Sequence, residues 1–276
     1  MRVLVTGGTG VLGKAVVQEL IRRDHGVTVL SRRDAPPDLP DGVTVAHGDL
    51  GTGAGLQAAV DDCATIVHCA TDMRRHRQVD VEGTRMLVEA AERAGGGSSR
   101  PHLVYISIVG CDRIPLGYYN SKALAELAIA QSKVPWTVLR ATQFHDLLLA
   151  LGDYLSKSPV VPLPRGVQDQ PVSVLDVASR IGELVAAGPS GRADDFGGPE
   201  VLSLEQVLRS VVAALGRDRR FVSVPPVGKV FRGYAAGHHL APGLPTGGRT
   251  FADHLAEHVH KADNGQIKVD QPYRFS

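Results

Sequence analysis

TGGTGVLG (residues 6–13) sits between the apolar run RVLVT (2–6) and an amphipathic stretch that continues to Arg23. Gly7, Gly10 and Gly13 recur every third residue. Placed after a strand and opening a helix, each has a separate task. Gly7 lets the chain leave the strand in a tight turn, Gly10 lets backbone approach a pyrophosphate, and Gly13 lets the helix pack closely on the strand. The helix N-terminus, with its free N–H groups and positive dipole end, then faces the phosphates. The spacing G-x-x-G-x-x-G differs from G-x-G-x-x-G, and its position at the start of the chain is what makes it a dinucleotide site.

The rest of the first half agrees. RVLVT (2–6), VTVLS (27–31), VTVAH (43–47), TIVHC (65–69), LVYIS (103–107) and WTVLR (136–140) are short runs rich in β-branched residues. Helical patterns lie at 11–23, 53–61, 78–94 and 118–132, and a Pro- and Asp-rich loop (32–42) joins the second and third strands. Strands that alternate with helices pair in parallel, because parallel neighbours need a crossover. The expected fold is therefore α/β, a Rossmann-type doubly wound parallel sheet. AGGGSSRP (94–101) reads as a helix stop and loop.

Beyond about residue 145 the alternation fails. Helical stretches at 174–187 and 203–215 are separated by VPLPRGVQDQ (161–170), GPSGRADDFGGPE (188–200) and VPPVGK (224–229). This divides the chain into a nucleotide-binding domain (1–145) and a small C-terminal substrate lobe (146–276), packed on the first and partly interleaved with it.

Composition narrows the function. The 276 residues are 43% hydrophobic and 21% charged, enough for a sizeable core. A net charge of +1 leaves no electrostatic footprint for nucleic acid or an acidic membrane. Cys63, Cys69 and Cys111 show no ligand spacing and read as small buried hydrophobes in a reducing compartment. With a strand pattern starting at residue 2 and no long apolar run, the expectation is a soluble cytoplasmic protein, monomer or homodimer, acting on a small molecule and holding no metal.

Cofactor choice turns on the end of the second strand. An acidic residue there accepts from the ribose 2′-hydroxyl of NAD, whereas basic residues suit the 2′-phosphate of NADP. The sequence is Ser31-Arg32-Arg33, with Asp34 after it, so NADP(H) is expected.

TGGTGVLG, HGDL (47–50), HCAT (68–71), DVEGT (80–84), YYNSK (118–122) and LRATQFHD (139–146) come in an order that resembles the short-chain dehydrogenase/reductase superfamily, specifically its atypical, NmrA-like branch. The likeness runs over about residues 1–215. It implies that Asp49 contacts the adenine with Leu50 beside the ring, and that Ala70 and Thr71 lie along the cofactor ribose. Val11, Leu12 and Thr142 complete the cofactor set.

The chemistry is then expected at Tyr118-x-x-x-Lys122. Positions i and i+4 share a helix face, and a nearby ammonium would lower the phenol pKa. Tyr118 would protonate the alkoxide that forms as hydride reaches a carbonyl, and Lys122 would also hold the nicotinamide ribose. Tyr119 reads as substrate-side packing. Gln143 and His145 match a loop lining the nicotinamide pocket in relatives, and His145 either orients substrate or is a hydrogen-bonded structural histidine.

Two departures stand out. Ile106-Ser107-Ile108 puts Ile108 where the superfamily has its carbonyl-polarising serine, so Ser107 is the remaining candidate. Asp80 replaces an asparagine that supports proton relay. His254, His258 and His260 read as part of a surface helix, and His238-His239 as a loop pair without a partner. Together these imply an NADPH-dependent oxidoreductase reducing a carbonyl, quinone or enone. The alternatives are an NADP(H)-sensing protein without turnover and a non-redox isomerase or cyclase on the same fold.

Overall fold

A computed structural model describes residues 1–94, 100–244, 247–261, 267–269 and 273. Most of the stretch expected as a helix stop and loop at 94–101 lies outside the described residues. In chain order the first elements are β1 (Arg2–Thr6), α1 (Val11–Arg22), β2 (Gly26–Ser31), β3 (Thr44–His47), α2 (Leu56–Asp61) and β4 (Thr65–His68). A π-helical segment (Arg77–Gly83) runs into α3 (Thr84–Arg93). Then come β5 (His102–Ile108), α4 (Gly117–Ala130), β6 (Trp136–Ala141) and α5 (His145–Leu155). The remainder is β7 (Val160–Pro164), β8 (Gln168–Asp169), α6 (Val174–Ala187), β9 (Gly191–Arg192), β10 (Leu202–Ser203), α7 (Leu204–Ala214), β11 (Arg220–Val224), α8 (Gly228–Ala235), α9 (Phe251–His258) and the pair β12 (Val259–Lys261) and β13 (Ile267–Val269).

Seven strands form a parallel sheet in the order β3-β2-β1-β4-β5-β6-β9. The chain builds outward from β1 to β3, then returns to the other side of β1 with β4. That reversal leaves the switch point between β1 and β4, where doubly wound sheets bind their ligands. Val3, Leu4, Val5 and Ile66 are fully buried because helices cover both faces of the central strands. Leu4, Leu30, Ile66, Leu87, Leu103 and Tyr105 meet in one core cluster.

The chain divides into two compact units, and not at a single point near residue 145. The first comprises Met1–Ser107, Leu116–Arg140 and Val177–Asp194; the second comprises Ile108–Pro115, Ala141–Asp176 and Asp195–Ser276. Most of α6 and all of β9 therefore belong with the sheet, which β9 extends by pairing with β6 at Thr137 and Val138. In the second unit Leu148, Leu149, Val207, Val211, Phe251 and Leu255 form the core. The stretch 161–170, expected to be irregular, contributes β7 and β8, which pair with β11 and β10.

Helix starts differ from the periodic pattern for local reasons. The helix expected from residue 53 begins at Leu56, because Gly53 and Gly55 take left-handed φ of +78° and +73°. α7 starts where Ser203 and Gln206 form a reciprocal capping box. Cys69 and Cys111 are buried as expected, Cys63 is half-buried, and none is in a disulfide. Among the described residues no helix is long and apolar enough to cross a membrane.

Candidate functional site

The glycine loop leaves β1 at the switch point. Gly7 has φ +71°, and a Cβ there would lie 2.6 Å from the backbone nitrogen of Ala70, which follows β4. The two strand ends therefore meet backbone to backbone. A Cβ on Gly13 would lie 2.0 Å from the Gly7 carbonyl oxygen, so its absence lets α1 close onto the loop. Gly10 differs. It is exposed, and a Cβ on it would meet only the Gly7 oxygen at 3.2 Å. α1 has no side-chain cap and no acidic residue in its first turn, which leaves its N–H groups for an anion. Val11 is half-buried beside Gly10, while Leu12 is buried and packs inward.

At the end of β2, the Arg33 backbone N–H donates to Ser31 Oγ at 3.0 Å. Arg32 and Arg33 are exposed, and no described residue pairs with either guanidinium. Asp34, the nearest carboxylate in sequence, is drawn to His47 Nδ1 at 2.7 Å. Asp49 folds its own loop, accepting from the Gly51 N–H at 2.8 Å, with Leu50 buried behind it. The uncapped helix end and the unpaired arginines fit the pyrophosphate and a further phosphate of a dinucleotide.

Around Tyr118 the structure assembles Thr71, Asp80 and Lys122 from three elements. Thr71 Oγ1 donates to Asp80 Oδ1 at 2.6 Å and lies 2.8 Å from the Tyr118 hydroxyl. The single Thr71 hydroxyl proton is committed to the carboxylate, so Tyr118 is the donor to Thr71. Lys122 Nζ lies 3.5 Å from Asp80 Oδ1, donates to the Ile106 carbonyl at 3.1 Å, and sits 4.7 Å above the Tyr105 ring. Its side chain is 4% exposed and that of Asp80 is 0% exposed, so each charge depends on the other.

This corrects one expectation. Lys122 does not depress the Tyr118 phenol. Burial pushes that phenol up, and the Asp80 charge pushes it further. The i, i+4 spacing aligns the two side chains on one helix face, but the ammonium is taken up by Asp80.

A second network pins the Asp80 turn. His68 is fully buried between Thr6 Oγ1 (2.6 Å from Nδ1) and Thr84 Oγ1 (2.9 Å from Nε2). Thr84 donates its hydroxyl to the Asp80 carbonyl at 2.6 Å, so His68 Nε2–H donates to Thr84 and Nδ1 accepts from Thr6. Burial lowers the His68 pKa to about 3, and the ring stays neutral. Asp80 sits in the π-helical segment, a geometry frequent at functional sites.

A sequence model of the NAD(P)H-binding family matches residues 7–186, a span that holds both the glycine loop and the Tyr118 cluster. The chain belongs to the NAD(P)H-binding family. The atypical short-chain dehydrogenase/reductase, NmrA-like character read from its motifs stands with it. Among similar proteins, the photosystem II assembly factor Ycf39 of Synechocystis sp. is 32% identical over 156 residues, which is 54% of this chain and 47% of that protein. The chloroplastic divinyl chlorophyllide a 8-vinyl-reductase of Oryza sativa subsp. indica is 29% identical over 252 residues, covering 81% of this chain and 61% of that one. The chain thus spans between about half and three fifths of the length of these curated relatives. An NADPH-dependent quinone oxidoreductase of Escherichia coli, solved with NADPH, has the same fold at a TM-score of 0.76 and 19% identity, over 92% of this chain and 99% of that one.

The remaining candidates lie on β5, on α4 and in the stretch from the end of β6 into α5. Ser107 is buried on β5, and Ile108 is half-buried. Tyr119 is 3% exposed, with its ring centroid 6.4 Å from that of Tyr118, so it packs into the fold and offers little surface to a substrate. In the second unit, Thr142 is buried with its hydroxyl on the Gln170 carbonyl, and Gln143 is half-buried. His145 is fully buried, 5.6 Å from Phe251 and 5.1 Å from His254 between ring centroids. His254 is not a surface residue; it is buried and stacks on His258 at 4.1 Å. His239 has a partner after all, the Gln168 carbonyl at 2.7 Å. The sequence reading missed Thr6, His68 and Thr84 as supports of the site, although HCAT and DVEGT were on view.

These histidines set an acid limit. Burial lowers His68 and His254 to about 3 and His102, His145 and His239 to about 4. Between those values and the ordinary 6.5 the unfolded chain binds protons that the native state refuses, so stability falls as pH drops through this window. Asp169, raised to about 7 by burial, acts with the opposite sign. Burial raises Asp146 as well, with the same sign as Asp169, and the five histidines outweigh the two carboxylates. At pH 5.5 each histidine costs about 1.4 kcal/mol at most. The urea midpoint followed by circular dichroism should fall steeply from about pH 7 to pH 5; a flat profile would mean that the rings are hydrated.

Proposed function

We propose that this protein is an NADPH-dependent oxidoreductase that reduces a carbonyl, quinone or enone of a small organic molecule. The observation that carries this reading is the Tyr118–Thr71–Asp80–Lys122 cluster in the same unit as the glycine loop. A bound nicotinamide would supply hydride. Tyr118 would give its proton to the substrate oxygen as charge develops there, worth about 10²–10⁴ in rate. Lys122, compensated by Asp80, would present its remaining N–H to the ribose. Ser31, Arg32 and Arg33 would hold the 2′-phosphate, with Asp34 kept away by His47.

NADPH should therefore bind more tightly than NADH by about 1–3 kcal/mol. Arg32→Ala should remove most of that preference in a fluorescence titration. Equal affinities in the parent protein would reject the NADP assignment. The activity itself is tested by NADPH oxidation against a panel of carbonyls, quinones and enones.

Ile108 at the serine position favours a second reading, an NADP(H)-binding protein without turnover. Removing that donor costs about 2.7–4 kcal/mol of transition-state stabilisation. Such a protein would bind NADPH tightly and consume none of it with any member of the panel.

A further inference from the structure

We propose that Asp80, acting through Thr71, holds Tyr118 as a loaded proton donor, so that the phenol needed for reduction is present at neutral pH and the phenolate needed for oxidation forms only at high pH. The consequence for reaction direction rests on the oxidoreductase reading above; the hydrogen-bond path does not.

The direction of each bond is fixed by the donors available. Asp80 can only accept, so Thr71 Oγ1–H points at Oδ1. Thr71 then has only lone pairs for Tyr118, whose O–H must point at Thr71. The other Asp80 oxygen, Oδ2, accepts from the Asp72 backbone N–H at 3.1 Å, which fixes the carboxylate plane. A phenolate at Tyr118 would find no donor in Thr71 and would lie two bonds from a buried carboxylate. Both effects favour the phenol.

The remaining charges facing Tyr118 are accounted for. Asp72 is paired with Arg75 at 3.0 Å, and the His76 ring, 6.4 Å from that of Tyr118, is bonded to Ser121 Oγ at 2.7 Å. From α4 the charged neighbour is Lys122, held by Asp80 and the Ile106 carbonyl. From β5 it is the Tyr105 phenol, which burial keeps protonated. Among the described residues, Asp80 is the charged group that a single intervening hydroxyl, that of Thr71, connects to the Tyr118 hydroxyl.

In the forward step, hydride adds to the substrate carbon and the carbonyl electron pair moves to oxygen. The Tyr118 O–H bond breaks, its proton goes to that oxygen, and the electron pair stays on the phenolate. The phenolate is unstable beside Asp80, and a proton from water restores the phenol between turnovers. Oxidation would have to begin from the phenolate that the chain disfavours.

The test reads Tyr118 ionisation alone, as the ultraviolet difference between each protein and its Tyr118→Phe counterpart across pH. In the parent, Tyr118 should stay protonated through about pH 10, where a free tyrosine is half ionised. Asp80→Asn removes the charge, and its amide can donate to Thr71 and turn the Thr71 hydroxyl toward Tyr118. The phenolate should then appear about one to two pH units lower than in the parent. Thr71→Val should move it part of the way, and Thr71→Ser should keep the parental value. These two also carry the test should Asp80→Asn fail to fold. Unchanged ionisation in Asp80→Asn and Thr71→Val overturns the proposal, whatever the turnover. The full pattern in a protein that consumes no NADPH upholds it and rejects the oxidoreductase reading instead.

Discussion

Tyr118→Phe should lower NADPH-dependent turnover by about 10²–10⁴-fold and leave NADPH affinity within about two-fold of the parent. Only one hydroxyl is lost, and it lies on a half-buried ring whose packing against Tyr119 and His76 survives the change. Thr71 loses a donor but keeps its bond to Asp80, so the buried ion pair stays compensated. Stability should therefore change little. Lys122→Ala is a different experiment in this protein. It strands a fully buried carboxylate, a change that typically costs 3–5 kcal/mol. A loss of activity there mixes folding, cofactor and chemistry, and Tyr118→Phe is the cleaner probe. The decisive measurement is paired, with steady-state NADPH oxidation and NADPH affinity on the same preparations. Equal turnover in parent and Tyr118→Phe would remove Tyr118 from the mechanism even in an active reductase. Wild-type affinity with no turnover in either protein would favour the non-catalytic reading.

The sheet was legible because its information is local. Runs such as RVLVT and VTVLS bury both faces, and the helices between them carry their own period. The glycine loop was legible because Gly7 and Gly13 answer contacts that follow from a tight strand-to-helix turn. The Tyr118–Lys122 spacing was legible too, but what it does was not. The ammonium goes to Asp80, a residue on a different element; the pattern at 78–94 marks a helix there, but not the π-helical turn of Arg77–Gly83 or the partner Asp80 meets. The same holds for α6, whose amphipathic pattern fits a helix in either unit; only packing assigns Val177–Ala187 to the first. His254 looked exposed because its helix is short and rich in charge, whereas its face is set by Phe251 and Leu255. Tertiary partners of polar side chains are the part that periodicity does not carry.

Two valine substitutions, three residues apart, should fail in opposite ways. Gly10→Val should give a folded protein that has lost NADPH binding, whereas Gly13→Val should lose the fold itself. Gly10 has extended N-cap geometry, φ −81° and ψ 177°, which a β-branched residue adopts freely. Its Cβ would need only a few tenths of an ångström from the Gly7 oxygen, and the direction beyond is open. The stability cost is that of a poorer N-cap, about 1 kcal/mol. The isopropyl group would then occupy the face where backbone must meet a pyrophosphate, and affinity should fall at least about 100-fold. At Gly13 the obstacle is the Gly7 carbonyl at 2.0 Å, backbone against backbone, within a loop already fixed by the approach of Gly7 to Ala70. Neither side can yield without separating α1 from β1, so the cost should exceed the 1–3 kcal/mol of ordinary overpacking. Circular dichroism and thermal melting read the first quantity, and NADPH fluorescence reads the second. If Gly10→Val melts with Gly13→Val, the loop serves only the fold. If Gly10→Val binds NADPH as the parent does, the pyrophosphate lies elsewhere.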